Sequence, residues 1–165
     1  MALTTTTVAA IIRNFVTVVE GLTPAGTDVS ELSKVEFRRA PAHRPAGEGS
    51  QSSAALRRFE IVPTGPRVDA SVMDPAAALV ERECRMTVTY PGLLGLYGAR
   101  HRDDLHALVE ADAVVIRDAL ASPGNQISGQ LATHVTQSAV TITGDDVWLS
   151  VLEFVVQYYQ AQTLT

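Results

Sequence analysis

The sequence predicts an α+β fold, a single mostly antiparallel sheet with two helices in the order α-β-β-α-β-β. Two segments repeat apolar residues at three- and four-residue spacing, which is typical of amphipathic helices. Four other segments, bounded by Gly, Pro or Ser, have apolar patterns typical of strands. Because 165 residues is about the size of one domain, we expect residues 1–165 to form a single domain.

The first helix is predicted from about Thr4 to Leu22. The threonines at its start are N-cap candidates, and Gly21 with Pro24 predicts its end. Its apolar stripe consists of Val8, Ile11, Ile12, Phe15, Val18, Val19 and Leu22. Many of these residues are β-branched and poor helix formers, so we expect packing to stabilise this helix.

A long loop is predicted before the first long strand. The segment Ser33 to Arg38 has the length of a short strand. Residues 40–53 then contain two prolines, two glycines and three serines, with almost no apolar residue to bury. This composition predicts a flexible loop within the domain.

Two strands are predicted in the middle of the chain. The first runs from Leu56 to Val62 and is expected to end at Pro63, before a turn-rich stretch over 64–75. The second runs from Leu79 to Tyr90 with strict alternation. Its apolar side consists of Val80, Arg82, Cys84, Met86, Val88 and Tyr90.

The second helix is predicted from about Arg102 to Ala121, with two aspartates in its first turn. Asp112 interrupts its apolar stripe. A buried carboxylate needs a partner, and Arg82 is the candidate on the neighbouring strand. The sequence leaves three interpretations open: an internal ion pair, a salt bridge between subunits, or a catalytic carboxylate.

The C-terminal hairpin is the most informative segment. The predicted strands are Thr133 to Thr143 and Asp146 to Gln160, joined by a two-residue Gly144-Asp145 turn. That turn would place Ile142 opposite Val147 and Val140 opposite Leu149. The second strand is apolar on both faces, so it needs two covers. We expect the helices to cover one face and a neighbouring subunit the other, which carries either Trp148 or Glu153.

Composition excludes several classes of function. A net charge of −5 does not favour a protein that grips nucleic acid. The single Cys84 excludes an intramolecular disulfide and a Cys-rich zinc site. No apolar run approaches the ~18 residues that span a bilayer, and the N-terminus lacks signal-peptide features. We therefore expect no membrane association, and synthesis in the cytoplasm.

Few residues suggest chemistry. His101 and His106 with two intervening aspartates could bind zinc, but residues five apart point to different helix faces. We interpret them as a solvated first helical turn. Nucleophile motifs and phosphate-binding loops are absent. We expect no catalytic residue, cofactor or metal ion, and a protein that is not an enzyme.

Three segments resemble tailed-bacteriophage tail terminators. They are Val88-Thr-Tyr-Pro-Gly92, Arg102-Asp-Asp-Leu-His-Ala-Leu108 and Gly144-Asp-Asp-Val-Trp-Leu-Ser-Val-Leu-Glu-Phe-Val-Val-Gln-Tyr158. The resemblance follows the order of elements over nearly the whole chain. It implies a virion structural protein that forms a hexameric ring at the head-proximal end of the tail tube. The implied partners are the tail tube protein and the head–tail connector or neck proteins, with genomic DNA passing through the lumen without specific binding.

Alternatives from the sequence are another neck component (a head-closure or tail-completion protein), a contractile-injection-system cap, and a small enzyme or ligand-binding domain that uses Asp112, Arg82 and the histidines. The residues predicted to contact neighbouring subunits are Trp148, Glu153, Phe154, Tyr158, Asp112 and Arg82.

Overall fold

The computed structural model describes residues 3–25, 36–40, 57–74, 77–90, 101–142 and 147–161. These form, in chain order, helix α1 (Val8–Glu20), strands β1 (Phe37–Arg39), β2 (Arg57–Asp74) and β3 (Ala77–Tyr90), helix α2 (Arg102–Ala121), a 3₁₀ turn (Pro123–Asn125), and strands β4 (Gln130–Ile142) and β5 (Trp148–Ala161). The α+β class predicted from the sequence is confirmed.

The strands form one five-stranded sheet in the order β1-β2-β3-β5-β4. Strand β1 pairs with β2 in parallel, and the other neighbours are antiparallel. The predicted order α-β-β-α-β-β lacked strand β1. This strand precedes β2 and pairs with it in parallel, so the sheet is mixed rather than purely antiparallel. Strand β1 overlaps the short segment Ser33 to Arg38 that the sequence indicated.

Strand β2 does not end at Pro63 as predicted, and it continues to Asp74 through the stretch expected to be turn-rich. Strand β1 pairs with β2 only from Arg57 to Phe59. Beyond that point β3 is the only strand that pairs with β2 among the described residues, so a proline costs no ladder bond on the outer side. A register shift between Pro63 and Arg67 absorbs the irregularity.

Both helices form where the periodicity predicted them. The Thr7 side chain accepts a hydrogen bond from the Ala10 amide at 3.2 Å and caps α1, which ends at Gly21. Helix α2 has the predicted bounds, and Asp104 accepts a hydrogen bond from the His101 amide at 3.1 Å. Helix α1 lies against β1 and β2, and α2 lies against β4 and β5.

The helices cover one face of the sheet, and the core lies between them. On β5 the even-numbered residues from Trp148 to Tyr158 are buried, and the odd-numbered residues are half-buried on the other face. Phe15 of α1 meets Phe154 edge-on, with ring centroids 5.9 Å apart. We call the face without helices the open face; it carries the odd-numbered residues of β3 and β5.

The predicted hairpin register is wrong by one residue. Ile142 pairs with Trp148, and Val140 pairs with Ser150. A one-residue slip exchanges the two faces of a strand. The observed register turns Val140 toward the core, where it packs against buried residues. The predicted Gly144-Asp145 turn lies outside the described residues.

Two further predictions concern regions that the structure leaves largely undescribed. Residues 41–53 of the loop predicted over 40–53 lie outside the described ranges. The single domain over 1–165 stays a prediction. Among the described helices, none is both long and apolar enough to cross a membrane.

Candidate functional site

A buried ion pair is the most unusual polar feature of the core. Arg57 Nε lies 2.6 Å from Asp112 Oδ2, and these side chains are 1% and 0% exposed. The sequence correctly indicated that Asp112 needs a partner, but the predicted partner, Arg82, is wrong. Arg57 occupies that position because it opens β2 on the helix-covered face, in the same alternation as the buried Phe59 and Ile61.

The pair belongs to a closed network of hydrogen bonds. Asp112 Oδ1 accepts a bond from the Ala25 amide at 2.7 Å, and Oδ2 accepts one from the Tyr90 hydroxyl at 3.0 Å. Arg57 Nη2 donates to the Ala25 carbonyl at 2.9 Å. The guanidinium also lies over the rings of Phe37 and Tyr90, 5.7 and 5.9 Å from their centroids.

This network ties α2 to the start of β2, the end of β3 and the residues after α1. Burial raises the pKa of Asp112, and the Arg57 guanidinium with the hydrogen bonds from Ala25 and Tyr90 opposes that rise. The Asp112 side chain is fully buried. The arrangement therefore fixes the position of these elements relative to one another.

Arg82 lies elsewhere on the same face of the sheet. It is half-buried beside Cys84 on β3, and its Nε atom makes no hydrogen bond among the described residues. Burial raises the pKa of the Cys84 thiol to about 11, and the positive charge of the nearby Arg82 only partly opposes this rise. A thiol with this pKa is protonated at neutral pH and is a poor nucleophile.

Three of the predicted interface residues lie in the core of the chain. Trp148, Phe154 and Tyr158 are 4%, 1% and 2% exposed. The Trp148 ring meets the His106 ring of α2 edge-on at 5.6 Å. Their role at a subunit interface stays a prediction. Because they are buried within the chain, residues on the open face and the sheet edges are better placed to contact a neighbouring chain.

Glu153 lies at the centre of the open face. Its Oε1 accepts hydrogen bonds from Arg85 Nη2 at 2.7 Å and Nε at 3.1 Å, across the β3–β5 pairing. A cavity of about 410 Å³ surrounds this ion pair and is lined by polar side chains that include Thr64, Glu83 and Thr136. It is partly open to solvent, unlike the enclosed apolar pockets that hold small ligands.

The cavity around Glu153 lies between two irregular stretches of the neighbouring strands. Strand β2 is irregular between Pro63 and Arg67, and β4 is irregular between Val135 and Gln137. Pro63 pairs with Cys84, Cys84 with Phe154, and Phe154 with Val135, so both irregularities start from the same row of the sheet. Bulges bend strands and increase their twist. They bring Thr64 and Thr136 to the two sides of the cavity around Glu153.

The histidine cluster is an exposed first turn of α2. His101 precedes the helix, and His106 Nδ1 lies 3.7 Å from Glu110 Oε1, one turn further along the helix. Both side chains are exposed. In the described parts of the chain, no three His, Cys, Asp or Glu residues lie close enough to hold a metal ion.

The fold and this site define an α+β protein whose sheet is covered on one face by two helices. No protein-family model matches the chain, and no curated protein matches it. Among solved structures, it is similar to a chain of the virion of a native gene transfer agent particle. The two chains share 16% identity at a TM-score of 0.45, over 82% of this chain and 87% of the other.

Proposed function

We propose that this chain is a virion structural protein, a tail terminator whose copies form a ring that caps the head-proximal end of the tail tube. We propose six copies in the ring, which joins the tube to the head and neck proteins and lets genomic DNA pass through its lumen. Its location is the virion. The role is structural rather than enzymatic.

One observation carries this proposal. The central strand β5 is apolar on both faces, yet helices cover only one of them in the described structure. Leu149, Val151 and Val155 are half-buried on the open face beside the Arg85–Glu153 pair. A sheet of this kind suits a protein that works in an assembly, where other chains surround it.

The sequence resemblance to tail terminators supports the identity that we propose for the assembly. It covers nearly the whole chain, and the observed helices and strands follow the order on which it rests, with β1 added. The buried Arg57–Asp112 pair belongs to the support of the fold. The burial of this pair supports a structural role for Asp112.

The test uses virions of the phage that encodes the chain. We expect mass spectrometry to detect the chain in purified virions, and gold-labelled antibodies to mark the junction of head and tail in negative-stain images. Purified protein, alone or mixed with tail tubes, should show rings. A virion preparation that lacks the chain would overturn the proposal.

A deletion distinguishes a tail terminator from another neck component. A cap stops the growth of the tube, so particles made without a terminator should carry tubes of irregular length. Loss of a head-closure or tail-completion protein should leave tube length unchanged. Uniform tubes after deletion would favour these neck alternatives, and an origin in a contractile injection system would show as labelling of a headless sheathed particle.

A further inference from the structure

Strand β4 is an edge strand that lacks the usual protection against pairing with another chain. Its 13 residues contain no Asp, Glu, Lys, Arg or Pro. Among the described residues it pairs on one side only, with β5. Monomeric proteins usually place charges, prolines or bulges on such a strand, because its outer amides and carbonyls attract other strands.

Strand β4 has two register shifts, between Gln130 and Ala132 and between Val135 and Gln137, and both lie in its first half. From Gln137 to Ile142 the strand pairs with β5 without interruption, and we call these six residues the bare edge. Gln137, Ser138 and Thr141 are exposed, and the Ile142 side chain is 48% exposed. This segment has the length and regularity to receive another strand.

The opposite edge of the sheet differs along its length. Beyond Phe59, β2 carries Pro63 and Pro66 and a register shift, which are devices that block pairing. At the other end, β1 forms the outer strand with Phe37, Arg38 and Arg39. The structure thus leaves β1 as the unblocked part of this edge among the described residues.

The two unblocked edges lie at the same level of the sheet. One row of paired residues runs Arg38, Arg58, Thr89, Leu149 and Thr141, from β1 to the bare edge. Strand β1 runs parallel to β2 and therefore opposite to β4. When copies repeat around an axis along the strands, β1 of one copy meets β4 of the next as an antiparallel neighbour.

Charged side chains lie beside both edges. On β1, Arg38 lies on the open face and pairs with Glu36, whereas Arg39 lies on the helix-covered face, where its amide donates a hydrogen bond to Glu20 Oε1 at 3.1 Å. On the other side, α2 lies along the bare edge. Glu110 lines a cavity with Ser138 to Val140 of β4, and Asp103 lies two helical turns earlier on the same stripe. Arg117 lines the same cavity and is paired with Asp118, so the exposed side of α2 carries more acidic than basic residues.

We propose that the bare edge is the docking site for a second copy of this chain, which presents its β1 edge so that Arg39, on the helix-covered side, approaches Glu110 and Asp103. The contact joins two different surfaces, so it is head-to-tail and repeats into a closed ring or a filament. This inference rests on the proposed function for ring closure, and it names the contact between neighbouring subunits.

Charge reversal tests the pairing of the two edges. Arg39→Glu, or Asp103→Lys with Glu110→Lys, should each weaken self-association by at least about tenfold at low salt, because like charges then face each other. Combining all three substitutions should restore association to within about threefold of the original. Sedimentation velocity measures the assembly, and Arg13→Glu, an exposed reversal on α1, is the control. Weakening without restoration would overturn the pairing.

Crosslinking tests the geometry. Cys84 is buried, so cysteines introduced by Arg38→Cys and Thr141→Cys are the reactive ones. A bismaleimide that spans roughly 10 Å, about two interstrand spacings, should link the double variant into a ladder of multimers. Neither single variant should crosslink. Efficient dimers of the Thr141→Cys variant would show that two β4 edges meet, and would overturn the head-to-tail contact.

The outcomes separate this inference from the proposed function. The chain could form rings in virions and yet show neither the crosslinks nor the response to charge reversal described above. That result would overturn the inference and leave the proposed function intact. A crosslinked ladder from a chain that is absent from virions would overturn the function and support the contact. A wild-type chain that stays monomeric at its highest soluble concentration overturns the contact.

Discussion

Arg57 Nε lies 2.6 Å from Asp112 Oδ2 at a site where neither side chain is more than 1% exposed. This pair connects the first residue of β2 with the middle of α2, and the hydrogen bonds to Ala25 and Tyr90 extend it to two further segments. Four parts of the chain that are distant in sequence therefore depend on one charge pair for their relative position.

Removing one member of this pair should be strongly destabilising. Asp112→Ala leaves the Arg57 guanidinium buried without its counter-charge, and we expect the free energy of unfolding to fall by about 3–5 kcal/mol. Replacing both members, as in Arg57→Met with Asp112→Leu, should recover much of that loss because no buried charge remains. Urea unfolding followed by circular dichroism measures both variants.

The matched control is the exposed Arg85–Glu153 pair on the open face. Its side chains are 48% and 36% exposed, so solvent screens their attraction. Glu153→Ala should cost less than about 1 kcal/mol. Equal losses for Asp112→Ala and Glu153→Ala would contradict the structural role of the buried pair.

The sequence predicted the helices and β3 well because each has a periodic apolar face. Asp112 stood out because it broke such a pattern. Its partner was missed because Arg57 belongs to an Arg-Arg pair close to the predicted loop, and arginine is usually exposed. The alternation of Arg57 with Phe59 and Ile61 was the available signal.

Features that depend on tertiary context were harder to predict. Pro63 indicates the end of a strand locally, but it is tolerated within β2 because β1 pairs with β2 only as far as Phe59. The hairpin register depended on which face of β5 the helices cover, and the Gly144-Asp145 pattern could not supply that information. Alternation alone placed Trp148 and Glu153 on opposite faces of β5, but the positions of the helices were needed to tell which of these faces is covered.

Alkaline pH should reduce stability through Cys84. Burial raises the pKa of this thiol from 9.0 to about 11 in the folded chain. Its contribution to stability is intact below pH 9 and is lost as the pH rises through 11, because the unfolded chain releases the proton first. The full loss is roughly 2–3 kcal/mol. The difference in unfolding free energy between wild type and Cys84→Ala, measured from pH 8 to 11, should show this slope, and a constant difference would contradict it.

Gly129 should not tolerate a side chain. Its φ is +88°, and a Cβ atom there would lie 2.9 Å from the Thr4 carbonyl oxygen. Gly129→Ala should therefore lower the free energy of unfolding by about 1–3 kcal/mol and increase amide exchange at Thr6, which donates to the Tyr159 carbonyl at 2.7 Å. Gly124→Ala is the control, because its nearest neighbour, Ser122 Oγ, would be 3.8 Å away. Similar losses at both glycines would contradict this explanation.

Adjacent residues of β5 should separate folding from assembly. Trp148 is 4% exposed between the sheet and α2, so Trp148→Ala should cost about 3–5 kcal/mol of unfolding free energy. Leu149 points to the open face and is half-buried, so Leu149→Ala should cost roughly 1 kcal/mol. Because Trp148 supports the fold, its substitution should reduce stability and ring formation together, as measured by urea unfolding and sedimentation. Loss of rings with unchanged stability would instead place Trp148 at a subunit interface.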